Sequence, residues 1–181
     1  MINIVFLMLQ SFYFMLPAYF ANMAPVIFRK MKFLDIPIDF NKKINKNPIL
    51  GKNKTYRGLF FGILLSIITA FIQFMLIKNE LFRNISIIEY DNWILFGFCM
   101  GFGALLGDSI KSFFKRRANI SSGKPWPFFD QIDYIIGSFL ITKIFFDISL
   151  DIMIMSTVLS VFLTILINNI AYILKIRDEP W

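Results

Sequence analysis

The chain has 181 residues, 57% hydrophobic and 17% charged, with 23 phenylalanines. A soluble core of this size cannot hide so much apolar surface, so an ordinary soluble domain is excluded and an all-α integral membrane protein is expected. The net charge of +7 would suggest nucleic acid in a soluble protein, but in a membrane protein its distribution matters more than its sum, and no nucleic-acid partner is expected.

Five transmembrane helices are predicted, read as one unit over residues 1–181. The first runs from about Ile2 to Phe28 and carries no charged side chain. It is too long for a signal peptide and lacks the basic start of one, so a retained span is expected. Pro17 and Pro25 are expected to kink it and free backbone carbonyls; Asn22 either lines a polar cavity or belongs to a structural kink. The second span is 58–77. The third, 93–107, is short and should continue as helix into the charged run that starts at Asp108. The fourth, 134–146, contains Lys143, which is expected to pair with Asp147 at i, i+4. The fifth is 152–174, where Asn168 and Asn169 mark helix packing or a polar pocket. Cys99, the one cysteine, reads as a buried small hydrophobe.

Basic residues set the orientation. The segment from Arg29 to Arg57 holds nine of them, the segment from Asp108 to Asp133 five, and the tail adds Lys175 and Arg177, which makes 16 of 19. An outside N-terminus puts all three regions in the cytoplasm, at the cell (inner) membrane, where nucleotides are available. Both loops are too short to build a core and must fold against helix ends.

Histidine is absent, which removes the commonest general base and zinc ligand. Metal chemistry here must use oxygen ligands, which favours magnesium or calcium. If helix continues past Asp108, then Asp108, Lys111, Ser112 and Lys115 share one face. Membrane anchoring explains the cations alone, but not an acid at the end of an apolar helix. Asp130 and Asp133, three apart, share a face at the start of span four, where carboxylates also favour a helix N-terminus without any ligand. A hairpin between spans three and four would bring them to Asp108, and three carboxylates on one membrane face can bind one or two magnesium ions. Gly51 to Gly58 offers a glycine turn with Lys54 and Arg57 for a phosphate chain, although positive-inside flanking explains the same residues. Asp39 is a further candidate contributor.

At these residues the sequence resembles the CDP-archaeol synthase family, within the membrane CTP:lipid-phosphate cytidylyltransferases. The matching segments are Pro17-Ala18-Tyr19 with Asn22 and Pro25, Pro37-Ile38-Asp39, and Gly51 with Lys54-Thr55-Tyr56-Arg57-Gly58. The most specific are Gly107-Asp108-Ser109, Ser112-Phe113-Phe114-Lys115-Arg116-Arg117, Gly123, Pro127 and Asp130-Gln131-Ile132-Asp133. Part of this also looks like the CDP-diacylglycerol synthase signature, with Gln131 in place of that group's arginine. The resemblance implies CTP as co-substrate, magnesium, and an unsaturated ether-lipid phosphate as acceptor, archaeal-type 2,3-bis-O-geranylgeranyl-sn-glycerol 1-phosphate or a related lipid phosphate. The lipid phosphate would attack the α-phosphorus of CTP and release pyrophosphate. On this reading Asp108, Asp130 and Asp133 hold magnesium. Lys54, Arg57, Lys111, Lys115 and Arg116 neutralise phosphates, with Lys124 as a further nucleotide contact, and Ser112 orients a phosphate oxygen. A homodimer is carried as an expectation. The alternatives are another membrane lipid phosphotransferase, against which the absence of the CDP-alcohol phosphotransferase pattern counts, and a non-enzymatic transporter or scaffold, which predicts polar residues at mid-membrane depth where the acids here sit at the cytoplasmic boundary.

Overall fold

A computed structural model describes residues 3–122 and 124–173, which form six α-helices and one short β-hairpin. Helix α1 spans Ile4–Ile27, α2 Tyr56–Leu76, α3 Glu80–Ile85, α4 Trp93–Arg117, α5 Phe129–Thr142 and α6 Leu150–Ile173. The hairpin pairs β1 (Lys43–Ile44) with β2 (Asn47–Pro48) in the loop between α1 and α2. Three segments, Ile4–Ile27, Tyr56–Leu76 and Tyr90–Arg117, are long and apolar enough to cross a membrane. Within α6 the described apolar stretch is Leu150–Leu166. With 14 residues, α5 reaches only about 21 Å, short of a hydrocarbon core of about 30 Å.

Pro17 and Pro25 lie inside α1 without ending it. Proline at position 17 leaves the Tyr13 carbonyl without its intrahelical donor. The buried Gln73 amide on α2 donates to that carbonyl at 2.6 Å, which joins α1 to α2. Aromatic packing continues the join: Phe14 lies 5.3 Å from Phe96 and 5.9 Å from Phe139 between ring centroids, linking α1, α4 and α5. In lipid such close packing, with interhelical hydrogen bonds, does most of the holding.

Helix α4 is the central element, against α1, α2 and α5, while α6 packs on α1 and α5. Its contact with α5 is unusually close. A Cβ added at Gly107 would sit 2.1 Å from the Asp133 carbonyl, and one at Gly137 2.2 Å from the Gly103 carbonyl. Only glycine allows the two backbones to meet there, and this fixes the depth of Asp108 relative to Asp133.

Several element bounds differ from expectation. Helix α2 begins at Tyr56 because Thr55 caps it, its hydroxyl accepting from the Gly58 amide at 3.2 Å. Helix α5 starts at Phe129, ahead of the apolar span at 134 and directly after Phe128 at φ 74°, so Asp130 stands in its first turn as expected. It ends at Thr142, so Lys143 stands beyond the helix and the expected pairing with Asp147 does not form; Lys143 Nζ instead lies 3.9 Å from Met153 Sδ. The loop after α2 contains α3 and a 3-10 turn, Tyr90–Asn92. Lys175 and Arg177 in the tail, Gly123, and the Asn168 side chain lie outside the described residues.

Candidate functional site

Because α4 is unbroken to Arg117, Asp108, Lys111 and Lys115 project from one face of its polar end. The glycine contact brings the first turn of α5 against that face. The outcome is an ion network centred on Lys111. Its Nζ lies 3.1 Å from Asp108, 2.7 Å from Asp130 and 2.7 Å from Asp133. Lys54, from the first loop, pairs with the other oxygen of Asp108. Lys115 lies 3.3 Å from Asp130, whose carboxylate also accepts from the Trp126 amide at 2.6 Å. Three ammonium groups thus meet three carboxylates, mostly buried, and the attraction compensates the loss of hydration.

The network borders a cleft of about 1180 Å³. Its lining holds seven cations, Arg29, Lys52, Lys54, Arg57, Lys111, Lys115 and Lys124, against Asp35, Asp108 and Asp130. An excess of positive charge in a partly desolvated cleft fits a polyanion. Arg57 is 6% exposed, pairs with Asp35 at 3.0 Å and donates to the Met31 carbonyl, so its guanidinium is anchored while it borders the cleft.

Not every expected residue lines this cleft. Asp133 is behind Lys111, its side chain 6% exposed. Ser112 is buried and does not contribute to the lining. Arg116 turns toward the loops, where it donates to the Ile120 carbonyl and lies beside Gly51. It is one residue from Lys115 on a helix and therefore about 100° away, a divergence the spacing already contained. Lys124 stands exposed at the rim. Asp35, Arg29, Lys52, Gln131 and Thr164 were not among the expected site residues; Lys52, two positions from Lys54, was the most findable.

The first loop presents Lys54 by means of Asp39. That carboxylate is 7% exposed and accepts from the amides of Leu50 at 2.8 Å, Gly51 at 3.0 Å and Asn41 at 3.0 Å. Burial pushes its pKa up, but the amides of Gly51, Leu50 and Asn41 outweigh burial and hold it below the ordinary value. Asp39 is thus an organiser of the loop rather than a cleft residue. Gly51 takes φ +98°, which favours glycine, and its amide already serves Asp39 instead of an outside anion. From the other side, Arg117 donates to the carbonyls of Ile44, Asn47 and Pro48 and holds the hairpin to the end of α4.

The donor set can be tested against a divalent ion. Among the described residues no group of carboxylates stands ready-made for a metal, because Lys111 takes the central position. The donors themselves are hard oxygens around a point that already holds positive charge, which fits magnesium chemistry.

The family model described as CarS-like, CDP-archaeol synthase, matches residues 1–181. A CDP-archaeol synthase of Methanocaldococcus jannaschii is 34% identical to this chain over 180 residues, covering 97% of this chain and 98% of the relative. Another, from Staphylothermus marinus, is 34% identical over 167 residues, covering 89% and 86%. A solved structure, described as an intramembrane enzyme for archaeal membrane lipids biosynthesis, matches with a TM-score of 0.71 at 24% identity, covering 87% of this chain and 92% of that one. This last likeness is one of fold and agrees with an all-α membrane protein.

Proposed function

The chain belongs to the CDP-archaeol synthase family, and from that premise we propose that its cleft is where a membrane lipid phosphate takes a cytidylyl group from CTP. The acceptor is 2,3-bis-O-geranylgeranyl-sn-glycerol 1-phosphate or a related lipid phosphate. A phosphate oxygen of the lipid forms a bond to the α-phosphorus of CTP, the bond from that phosphorus to the β-phosphate bridging oxygen breaks, and pyrophosphate leaves. The whole chain, residues 1–181, serves as one catalytic unit.

The observation that carries this reading is the meeting of Asp108, Asp130 and Asp133 with Lys54, Lys111 and Lys115 beside a cleft rich in cations. Both reactants are anions and repel each other, so the residues' work is positioning and charge neutralisation. No protein nucleophile is needed, which suits a chain without histidine. Lys54, Arg57 and Lys115 border the cleft from three directions and would take the triphosphate, with Lys124 at its rim. Ser112 and Arg116 would act from behind: Ser112 packed within α4 and Arg116 through the loop it holds.

Magnesium, held by Asp108, Asp130 and Asp133, would supply charge to the phosphates and the leaving pyrophosphate. The N-terminus lies outside and the cleft faces the cytoplasm at the cell (inner) membrane, a reading supported by 16 of 19 basic residues falling on that side. A homodimer is the expected assembly, tested by light scattering of the detergent-solubilised protein. The test of function is CDP-lipid formation from CTP and a panel of lipid phosphates. Wild type should form product only with magnesium, and chelation should stop it. Asp133→Asn should lose turnover while still inserting and folding; near-normal activity in that variant removes Asp133 from the site.

A further inference from the structure

The cleft has two chemically different walls. Charges line the side made by α2, α4, the loops and Asp130 at the start of α5, whereas Asn22 of α1, Gln131 of α5 and Thr164 of α6 are uncharged polar groups. The Asn22 and Gln131 side chains border the cleft, Gln131 being 9% exposed. One turn deeper, the Tyr19 hydroxyl and Ser160 Oγ are 2.6 Å apart and join α1 to α6. Tyr134 on α5 places its hydroxyl beside Ser160 and Thr164, and its ring meets that of Tyr19 edge-on at 6.2 Å. Tyr134 and Ser160 are 4% and 0% exposed, so this floor is rigidly enclosed. Asn22 follows Tyr19, and Thr164 follows Ser160, by about one helical turn. The cleft-lining polar groups therefore stand directly above the enclosed ones. On α1, Met23 beside Asn22 is 52% exposed, and Val26, one turn above Asn22 and bordering the cleft, is 74% exposed; lipid chains are suitable neighbours for both.

We propose that this wall seats the neck of the acceptor lipid: Asn22, Gln131 and Thr164 donate hydrogen bonds to the glycerol oxygens between its phosphate and its chains, and the chains leave sideways past the exposed apolar side chains of α1. Glycerol ether oxygens accept hydrogen bonds but carry no charge, so amide and hydroxyl donors match them and ammonium groups do not. Tyr19, Tyr134 and Ser160 are positioning residues that hold α6 and Thr164 at the right depth. The inference rests on the cytidylyltransferase reading and deepens it by identifying which part of the acceptor is recognised.

The test uses full-length protein in nanodiscs with CTP and two acceptors: the glycerol ether phosphate, and a long-chain alkyl phosphate that lacks the glycerol oxygens. In Thr164→Val the KM for the ether phosphate should rise about tenfold, the effect of one lost hydrogen bond, while the KM for CTP stays within about twofold. Thr164→Ser should restore the wild-type value, and the alkyl phosphate should be used equally by wild type and Thr164→Val. Asn22→Leu should give the same split, which keeps the test available if Thr164→Val is poorly folded. Unchanged acceptor KM in both valine and leucine variants, or equal rises for CTP and acceptor, overturns the seat. A wild type inactive with every acceptor overturns the function proposed above, and the seat with it.

Discussion

Gly107→Ala tests whether the contact between α4 and α5 sets the geometry of the ion network. The new methyl would lie 2.1 Å from the Asp133 carbonyl oxygen and 3.2 Å from the Gly137 Cα. An ordinary carbon–oxygen contact is about 3.3 Å, so the helices must separate by a little over 1 Å. Both obstacles are backbone, which no rotamer change can relieve. The Lys111–Asp133 ion pair, now 2.7 Å, would lengthen toward about 4 Å, the edge of ion-pair contact. Misplacement on this scale costs on the order of 100-fold in turnover, and the overpacking costs about 1–3 kcal/mol of stability. Gly97→Ala is the matched control, since its methyl would meet the Ile67 Cα at 2.6 Å, on the α2 side of α4. CTP turnover and thermal melting of both purified variants make the comparison. Similar losses of melting temperature with a turnover loss confined to Gly107→Ala are expected. Near wild-type turnover in Gly107→Ala, or equal turnover loss in both, refutes the reasoning.

Lys111→Met should remove the shared cation and leave carboxylates unpaired, lowering stability by about 3 kcal/mol and turnover by at least about 100-fold. Adding Asp133→Asn to it should recover part of the melting temperature and none of the turnover; recovery of activity would show that Lys111 only balances charge. Asp39→Asn should cost about 2 kcal/mol by loosening three amides. Because the folded carboxyl titrates below its ordinary value of 3.8, its contribution is complete above that pH and is lost as pH falls through the lower folded value. The melting difference between wild type and Asp39→Asn should therefore be constant at neutral pH and shrink in strong acid; a difference that grows on acidification contradicts the assignment.

Much of the site was legible because it depends on one helical period. Asp108, Lys111 and Lys115 recur at 3 and 4 residues, so one unbroken helix delivers them together, as α4 does. The approach of Asp130 and Asp133 was legible as a hairpin, but its closeness depends on Gly107 and Gly137, whose role appears only when two backbones meet. What the spacing could not supply was the partner of each charge. Arg116 and Asp39 look like cleft residues in sequence, yet one serves Ile120 and the other serves backbone amides. The first-turn place of Asp130 on α5 was legible, whereas the positive φ of Phe128 just before the helix is announced by no pattern in the sequence. Thr164 was missed although Ser156, Ser160 and Thr164 recur every four residues on one face of α6, because such a stripe of hydroxyls gains meaning only from the cleft beside it.

The central claim is that the carboxylate and ammonium network beside the cleft carries nucleotidyl transfer to a lipid phosphate. The most direct measurement follows label position: purified protein with magnesium, a glycerol ether phosphate, and CTP labelled on either the α- or the γ-phosphorus. The account predicts α-label in the lipid fraction and γ-label in released pyrophosphate, with both lost in Asp108→Asn. γ-Label in the lipid, or no label from either nucleotide with any acceptor, would contradict it.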